Sequence, residues 1–212
     1  MEKLKGIKAI LFDFDGTLVN IPINYKKIRL ELKKLFLIHG IKTDFKIILK
    51  SIEKAYKIKD HEKVNKLVNE AFSIVTKYEI SGAKRAKEVL GAHNLLKKLK
   101  EHGFKIAIIS RNSYESIEIA LKKTKLDKYI DLIISREDVK KIKPHPEMIK
   151  KALGYLKLKS SEVLVVGDHL YDIIAASRAK VISIGIKTKH SDFSNCHPDF
   201  IVSDLKQLLK LI

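Results

Sequence analysis

The chain has a single cysteine, Cys196, among its 212 residues, which excludes an internal disulfide framework. No apolar stretch approaches the roughly 20 residues needed to span a bilayer. No apolar run of signal-peptide length precedes the first hydrophobic segment, so the expected setting is soluble and cytoplasmic, without a membrane partner. Arginine is scarce too. Among 43 basic residues only Arg29, Arg85, Arg111, Arg136 and Arg178 are arginines, and no segment interleaves basic with aromatic residues. Nucleic-acid readers use arginine for bidentate contacts and aromatics for stacking. The formal charge of +18 therefore reads as a solvated lysine surface, and no nucleic-acid partner is expected. Internal repeats and low-complexity segments are also absent.

What is present is an apolar content of 45 %, enough for a substantial core, arranged in six short runs. These are residues 7 to 13, FKIAIIS (104 to 110), IDLIIS (130 to 135), EVLVVGD (162 to 168), VISIGI (181 to 186) and DFIVS (199 to 203). Continuous apolar runs of this length fit strands buried on both faces, and helix-period segments such as 145 to 156 and 171 to 179 follow them. Alternating strands and helices predict an α/β fold, with a parallel sheet between helices on both faces. Residues 20 to 88 differ. Ile28, Leu32, Leu35 and Phe36 repeat at helical spacing before Gly40. Phe45, Ile48, Leu49, Ile52, Ala55 and Tyr56 do so behind Asp44 as an N-cap, and Val64, Leu67, Val68, Ala71, Phe72 and Val75 follow. A helical insertion directly after the first strand belongs over the sheet's C-terminal edge, where it could close on a substrate. The expected division is a catalytic core of residues 1–19 and 89–212 with an all-helical cap of residues 20–88.

The strand ends carry the polar groups. The stretch AILFDFDGTLVN delivers Asp13, Asp15 and Thr17 to the end of the first strand, the edge at which open α/β sheets bind ligands. The next strand ends at Ser110, followed by Arg111 and Asn112. Lys143 lies in KKIKPHPEMI, ahead of Pro144 and so in a loop leading into a helix, and VVGDHLYD supplies Asp168 and Asp172. Asp13, Asp168 and Asp172 would form an all-oxygen anionic cluster suited to a hard cation such as Mg²⁺. Lys143 and the hydroxyls of Ser110 and Thr17 complement a phosphoryl group. With that group held, one aspartate can attack phosphorus while a second protonates the leaving oxygen and then activates water.

These four motifs resemble those of the haloacid dehalogenase superfamily, in particular its phosphoglycolate-phosphatase-like members with a small helical cap. Asp13-Phe14-Asp15-Gly16-Thr17 is similar to the first motif, Ser110 to the second, Lys143-Pro144-His145-Pro146 to the third, and Gly167-Asp168 through Asp172 to the fourth. The resemblance implies a Rossmann-like three-layer core, Asp13 as nucleophile and Asp15 as general acid and base. It implies Mg²⁺ held by Asp13, the Asp15 backbone carbonyl and Asp168, with Asp172 bound directly or through water. Thr17, Ser110 and Lys143 would bind the phosphoryl group, helped by Arg111, Asn112 and backbone N–H groups near Asp15, Gly16 and Arg111. The carboxylate at Asp15 points to phosphoryl transfer, because the dehalogenating branch lacks one there. Asn20, His169 and Lys180 depart from the residues frequent at those positions.

Other residues invite a plainer reading. His169 suits a local structural role, and Cys196, His197 and His190 read as loop rather than a soft-metal site. Tyr25, Lys26, Tyr56 and Tyr78 could line a pocket, although helix packing accounts for the tyrosines equally well. The expected function is hydrolysis of a small phosphorylated metabolite: phosphoglycolate by resemblance, a sugar phosphate or a nucleotide, with pyrophosphate also open. A β-phosphoglucomutase-like phosphotransferase and a basic binding module with a vestigial site are the alternatives. Monomer and homodimer both stay open.

Overall fold

The computed structural model describes residues 5–52, 61–189 and 191–211. Six parallel strands form the sheet: β1 (Ala9–Phe12), β4 (Lys105–Ile109), β5 (Leu132–Ile134), β6 (Val163–Gly167), β7 (Ile182–Ile186) and β8 (Phe200–Val202). All six coincide with the apolar runs. Their spatial order is β5-β4-β1-β6-β7-β8, so β1 is central, with Phe12 level with Ile108 on one side and Val166 on the other. From β1 the chain builds outward through β4 and β5, then crosses to the opposite side for β6. That reversal beside β1 is the switch point where an open α/β sheet leaves a crevice at its carboxyl edge.

Strand alternation divides the core into two layers. Ile10 and Phe12 pack with α4 (Ala92–Glu101), α5 (Tyr114–Thr124) and α8 (Leu205–Leu211). Ala9 and Leu11 face α6 (Glu147–Leu156) and α7 (Leu170–Ala179) on the other side. The three-layer Rossmann-like architecture expected from the sequence is therefore present.

A third apolar cluster joins α1 (Tyr25–Ile38), α2 (Ile48–Ile52) and α3 (His61–Ala83) through Ile28, Leu32, Phe36, Leu67 and Ala71. The chain leaves the sheet at β2 (Val19–Asn20) and returns at β3 (Lys87–Glu88), two short strands paired antiparallel. One local expectation fails. Phe45 is not helical but takes a positive φ of 54°, and α2 begins three residues later. Asp44 accepts the Lys46 N–H at 3.1 Å, which favours a turn over a helix start. The Phe45 ring meets Phe36 edge-on at 4.9 Å, and its carbonyl accepts from Arg29 Nε. Burying that ring outweighs the cost of one left-handed residue. Ala55, Tyr56 and His190 lie outside the described residues. Among the described residues no helix is long and apolar enough to cross a membrane.

Candidate active site

Asp13 follows β1 directly, and its N–H donates to the Val166 carbonyl at 2.8 Å, which fixes it at the sheet edge. The turn after it needs Gly16. This residue has φ of +96°, and a Cβ there would lie 2.5 Å from an Asp168 carboxylate oxygen. The turn therefore brings the two acidic loops together because residue 16 has no side chain.

Asp13, Asp168 and Asp172 each offer an oxygen within 4.8 Å of the others. Lys143 enters the group from below, almost fully buried, with Nζ 2.5 Å from Asp13 Oδ1, 2.5 Å from Asp172 Oδ1 and 2.7 Å from the Ile109 carbonyl. Burial works against its charge, but Asp13 and Asp172 outweigh that, and its pKa is raised. Asp172 is held further by the His169 N–H at 3.1 Å. Asp168 accepts from Thr17 Oγ1 and from Thr188 Oγ1, both at 3.3 Å. Asp15 stands apart, with Oδ1 accepting the Ile21 N–H at 2.8 Å.

Four groups expected at the phosphoryl make hydrogen bonds within the protein. The Thr17 hydroxyl is fully buried and serves Asp168, and the Gly16 N–H donates to the Val19 carbonyl at 2.7 Å. Lys143 spends its donors on two carboxylates and a carbonyl. Ser110 is buried, with its hydroxyl donating to Asn112 Oδ1 at 3.1 Å and accepting the Asn112 N–H at 3.2 Å. Arg111 and Asn112 face a cavity of about 1180 Å³ together with Asp13, Asp15, Asn20 and Asp168. The Arg111 guanidinium lies over the Tyr171 ring at 5.1 Å. His169 caps α7, its Nδ1 accepting from the Tyr171 N–H at 3.1 Å, which is the structural role expected of it. Tyr25 lines the cavity, whereas Tyr78 donates to Glu31.

Crowding shapes the acidity here. Burial, then the nearby Asp13 and Asp172 charges, push Asp168 up to about 6. Burial pushes Asp15 up to about 7, partly offset by the Ile21 N–H. Asp13 is raised as well, burial outweighing Lys143. Three carboxylates around one point, with Lys143 in contact and Arg111 nearby against them, match a hard divalent cation, because oxygen donors of like charge repel unless a cation stands between them.

A stability prediction follows from these values. Asp15 and Asp168 titrate above the ordinary 3.8, so the folded chain keeps protons that the unfolded chain releases. Their contribution is present below about pH 4 and lost as pH rises through 6 and 7. In EDTA the cluster should lower the melting midpoint across that window. A divalent cation held only by the folded carboxylates, tested as Mg²⁺, should raise it, adding about 2.7 kcal/mol of stability at 100 times its Kd. Calorimetry at pH 5 and pH 8 reads both effects, and a midpoint at pH 8 that ignores Mg²⁺ would count against a divalent site.

Fold and strand-end cluster together define a haloacid dehalogenase-like hydrolase: that family matches residues 10–186, and the chain belongs to it. Pyrophosphatase PpaX of Bacillus cereus (strain B4264) is 27 % identical over 223 residues, covering 97 % of this chain and 96 % of its own. A phosphatase of the family from Thermococcus onnurineus shares the fold at a TM-score of 0.67 and 23 % identity, over 97 % of both chains. CbbY from Rhodobacter sphaeroides, solved with phosphate, does so at 0.68 and 18 %, over 95 % of this chain and 96 % of its own. By family the chain is a hydrolase.

Proposed function

We propose that the protein is a Mg²⁺-dependent phosphatase that hydrolyses a small organic phosphomonoester through a phospho-Asp13 intermediate. The observation that carries this reading is the placement of Asp13: at the end of the central strand, on the cavity floor, beside Asp168, Asp172 and Lys143. An Asp13 oxygen attacks phosphorus and the ester P–O bond breaks. Asp15, its pKa lifted by burial to about 7 so that it can both give and take a proton near neutral pH, gives its proton to the leaving oxygen. The resulting Asp15 carboxylate then takes a proton from water, which attacks the acyl phosphate and frees inorganic phosphate and Asp13. Asp13, Asp168 and Asp172, with the Asp15 carbonyl, would hold the cation. Its chemistry there is to offset charge on the phosphoryl oxygens.

Residues 20–88 serve as the cap. On that side the cavity is lined by an aliphatic stretch, Ile47 to Leu49 with Ile23 and Val75, and by charged residues such as Arg29, Lys46, Arg85 and Lys87. A cavity of about 1180 Å³ with an aliphatic stretch in a mixed wall has room for an organic part beside the phosphoryl group, which bare pyrophosphate would not fill. Phosphoglycolate, sugar phosphates and nucleoside monophosphates fit this description, and the name of the PpaX relatives makes pyrophosphate the comparison compound.

Phosphate release from that panel and from p-nitrophenyl phosphate, with Mg²⁺ and with EDTA, tests the reading. Metal-dependent release from an organic ester, faster than from pyrophosphate, is expected. Conversion of β-glucose 1-phosphate to glucose 6-phosphate without free phosphate would make the protein a mutase instead. Asp15→Asn should slow turnover by about 10²- to 10⁴-fold while leaving inorganic phosphate binding nearly unchanged, because the amide removes only the proton shuttle. Wild-type kcat in that variant would assign the acid to another group.

A further inference from the structure

Glu79 on α3 and Arg136, in the turn after β5, form an ion pair with 7 % and 5 % of their side chains exposed. Arg136 Nη1 donates to both carboxylate oxygens, at 2.6 and 2.8 Å, and Nη2 reaches Thr76 Oγ1 at 2.6 Å, one turn earlier on the same helix. The ring of Phe72 covers the guanidinium at 5.3 Å. The same two residues also hold the loop after β4. Arg136 Nη1 donates to the Arg111 carbonyl at 3.2 Å and the Arg136 N–H to the Asn112 carbonyl at 3.3 Å. Glu79 Oε2 accepts the Ser113 N–H at 3.0 Å. Three successive residues of the loop are thus tied to these two residues, Asn112 through the Arg136 backbone, and Arg111 and Asn112 line the cavity along with Glu79.

Burying two charges is costly, and such a pair adds little stability over well-packed apolar residues of similar size. Its value here lies in where it acts. Glu79 comes from the helical insertion and Arg136 from the core, yet both terminate on a loop that faces the phosphoryl site. We infer that Glu79 and Arg136 are positioning residues that set the Arg111–Ser113 loop only when α3 is packed against the core at α5, so that seating the cap and completing the phosphoryl-binding wall are one event. Without α3 the loop would lose the Ser113 N–H acceptor, and Arg136 would be free to swing away from the Arg111 carbonyl. This inference rests on the phosphatase reading, with the loop as part of its phosphoryl site.

The decisive variant is Glu79→Leu/Arg136→Met, which removes both charges and the two side-chain ties to Arg111 and Ser113, leaving only the backbone bond to Asn112, while keeping the pair's volume apolar. A purely structural pair predicts normal kinetics wherever the melting midpoint is normal. The positioning role predicts a near-normal midpoint with kcat/KM on p-nitrophenyl phosphate lowered about 10- to 100-fold, the scale of a small misplacement of binding groups. Inorganic phosphate, titrated calorimetrically with Mg²⁺, should bind at least about 10-fold more weakly. Arg136→Lys serves if the double variant does not fold: it keeps the charge but cannot hold Glu79 and the Arg111 carbonyl with one planar fork, so the same losses are expected. Wild-type phosphate affinity and kcat/KM in whichever variant folds would overturn the inference. A wild-type protein that binds phosphate but hydrolyses nothing would overturn the phosphatase reading alone, since the affinity comparison still reads the loop.

Discussion

Asp13→Asn is expected to lower the rate of phosphate release by about 10⁴- to 10⁶-fold, the scale of losing an enzymatic nucleophile. The neutral amide cannot attack phosphorus, and it also removes one of the two carboxylates that Lys143 Nζ contacts at 2.5 Å. The effect on the fold should be much smaller. Burial already raises the Asp13 pKa, so its charge is unfavourable in place, and an amide of the same shape relieves crowding with Asp172 as it weakens the bond to Lys143. The variant should therefore stay folded and inert. Rapid-quench single-turnover kinetics with wild type and Asp13→Asn, coupled to recovery of an acid-stable phosphoenzyme from wild type, provide the check. Wild-type single-turnover rates in the asparagine variant would remove the covalent step from the mechanism.

How far this chemistry could be read in advance varied with the kind of contact. Strands β1, β4 and β6 were legible because a strand buried on both faces must be apolar throughout, and their ends brought Asp13, Ser110 and Asp168 to one edge. The helices α1 and α3 were legible from their periodic apolar faces. Phe45 was not, because a left-handed residue stabilised by a ring packed on Phe36 leaves no local trace. The motifs named candidate residues but not which atoms each would touch. Thr17 and Lys143 have the chemistry of phosphoryl ligands, yet both turn inward, towards carboxylates. Local sequence cannot distinguish a donor aimed at a ligand from one aimed at a neighbouring acid. Glu79 and Arg136 were missed altogether. They lie 57 positions apart in chain segments without a motif, and only the packing of α3 against the core makes them partners. The one available signal was Arg136 itself, one of five arginines in a lysine-rich chain, since a planar fork is what a buried bidentate pair requires.

Lys143→Met should have the largest effect on stability. The ammonium is the cation that the structure places between Asp13 and Asp172, and it also satisfies the Ile109 carbonyl at 2.7 Å. Methionine has similar length but no charge, so two carboxylates would face one another in a buried site, one acceptor would lose its donor, and the repulsion would fall on the turn that holds Gly16. Removing one partner from such an arrangement costs about 3–5 kcal/mol. For a chain of this length that is a fall in melting midpoint of roughly 6–20 °C. The sign of Lys143's raised pKa agrees: its contribution is complete at neutral pH and lost only as pH rises through the folded-state value, so the deficit should be present in full at pH 7. Two additions should restore part of the midpoint, each for a separate reason. Mg²⁺ supplies positive charge to the carboxylates, and Asp13→Asn in the same chain removes one of the two charges that repel. Activity should still fall by about 10²-fold or more even with Mg²⁺ present, because the attacking carboxylate has lost the group that orients it. Calorimetry of the single and double variants, with Mg²⁺ and with EDTA, measures each contribution. A Lys143→Met midpoint within about 2 °C of wild type in EDTA would mean that protonation of the carboxylates, rather than the lysine, keeps this acidic cluster together.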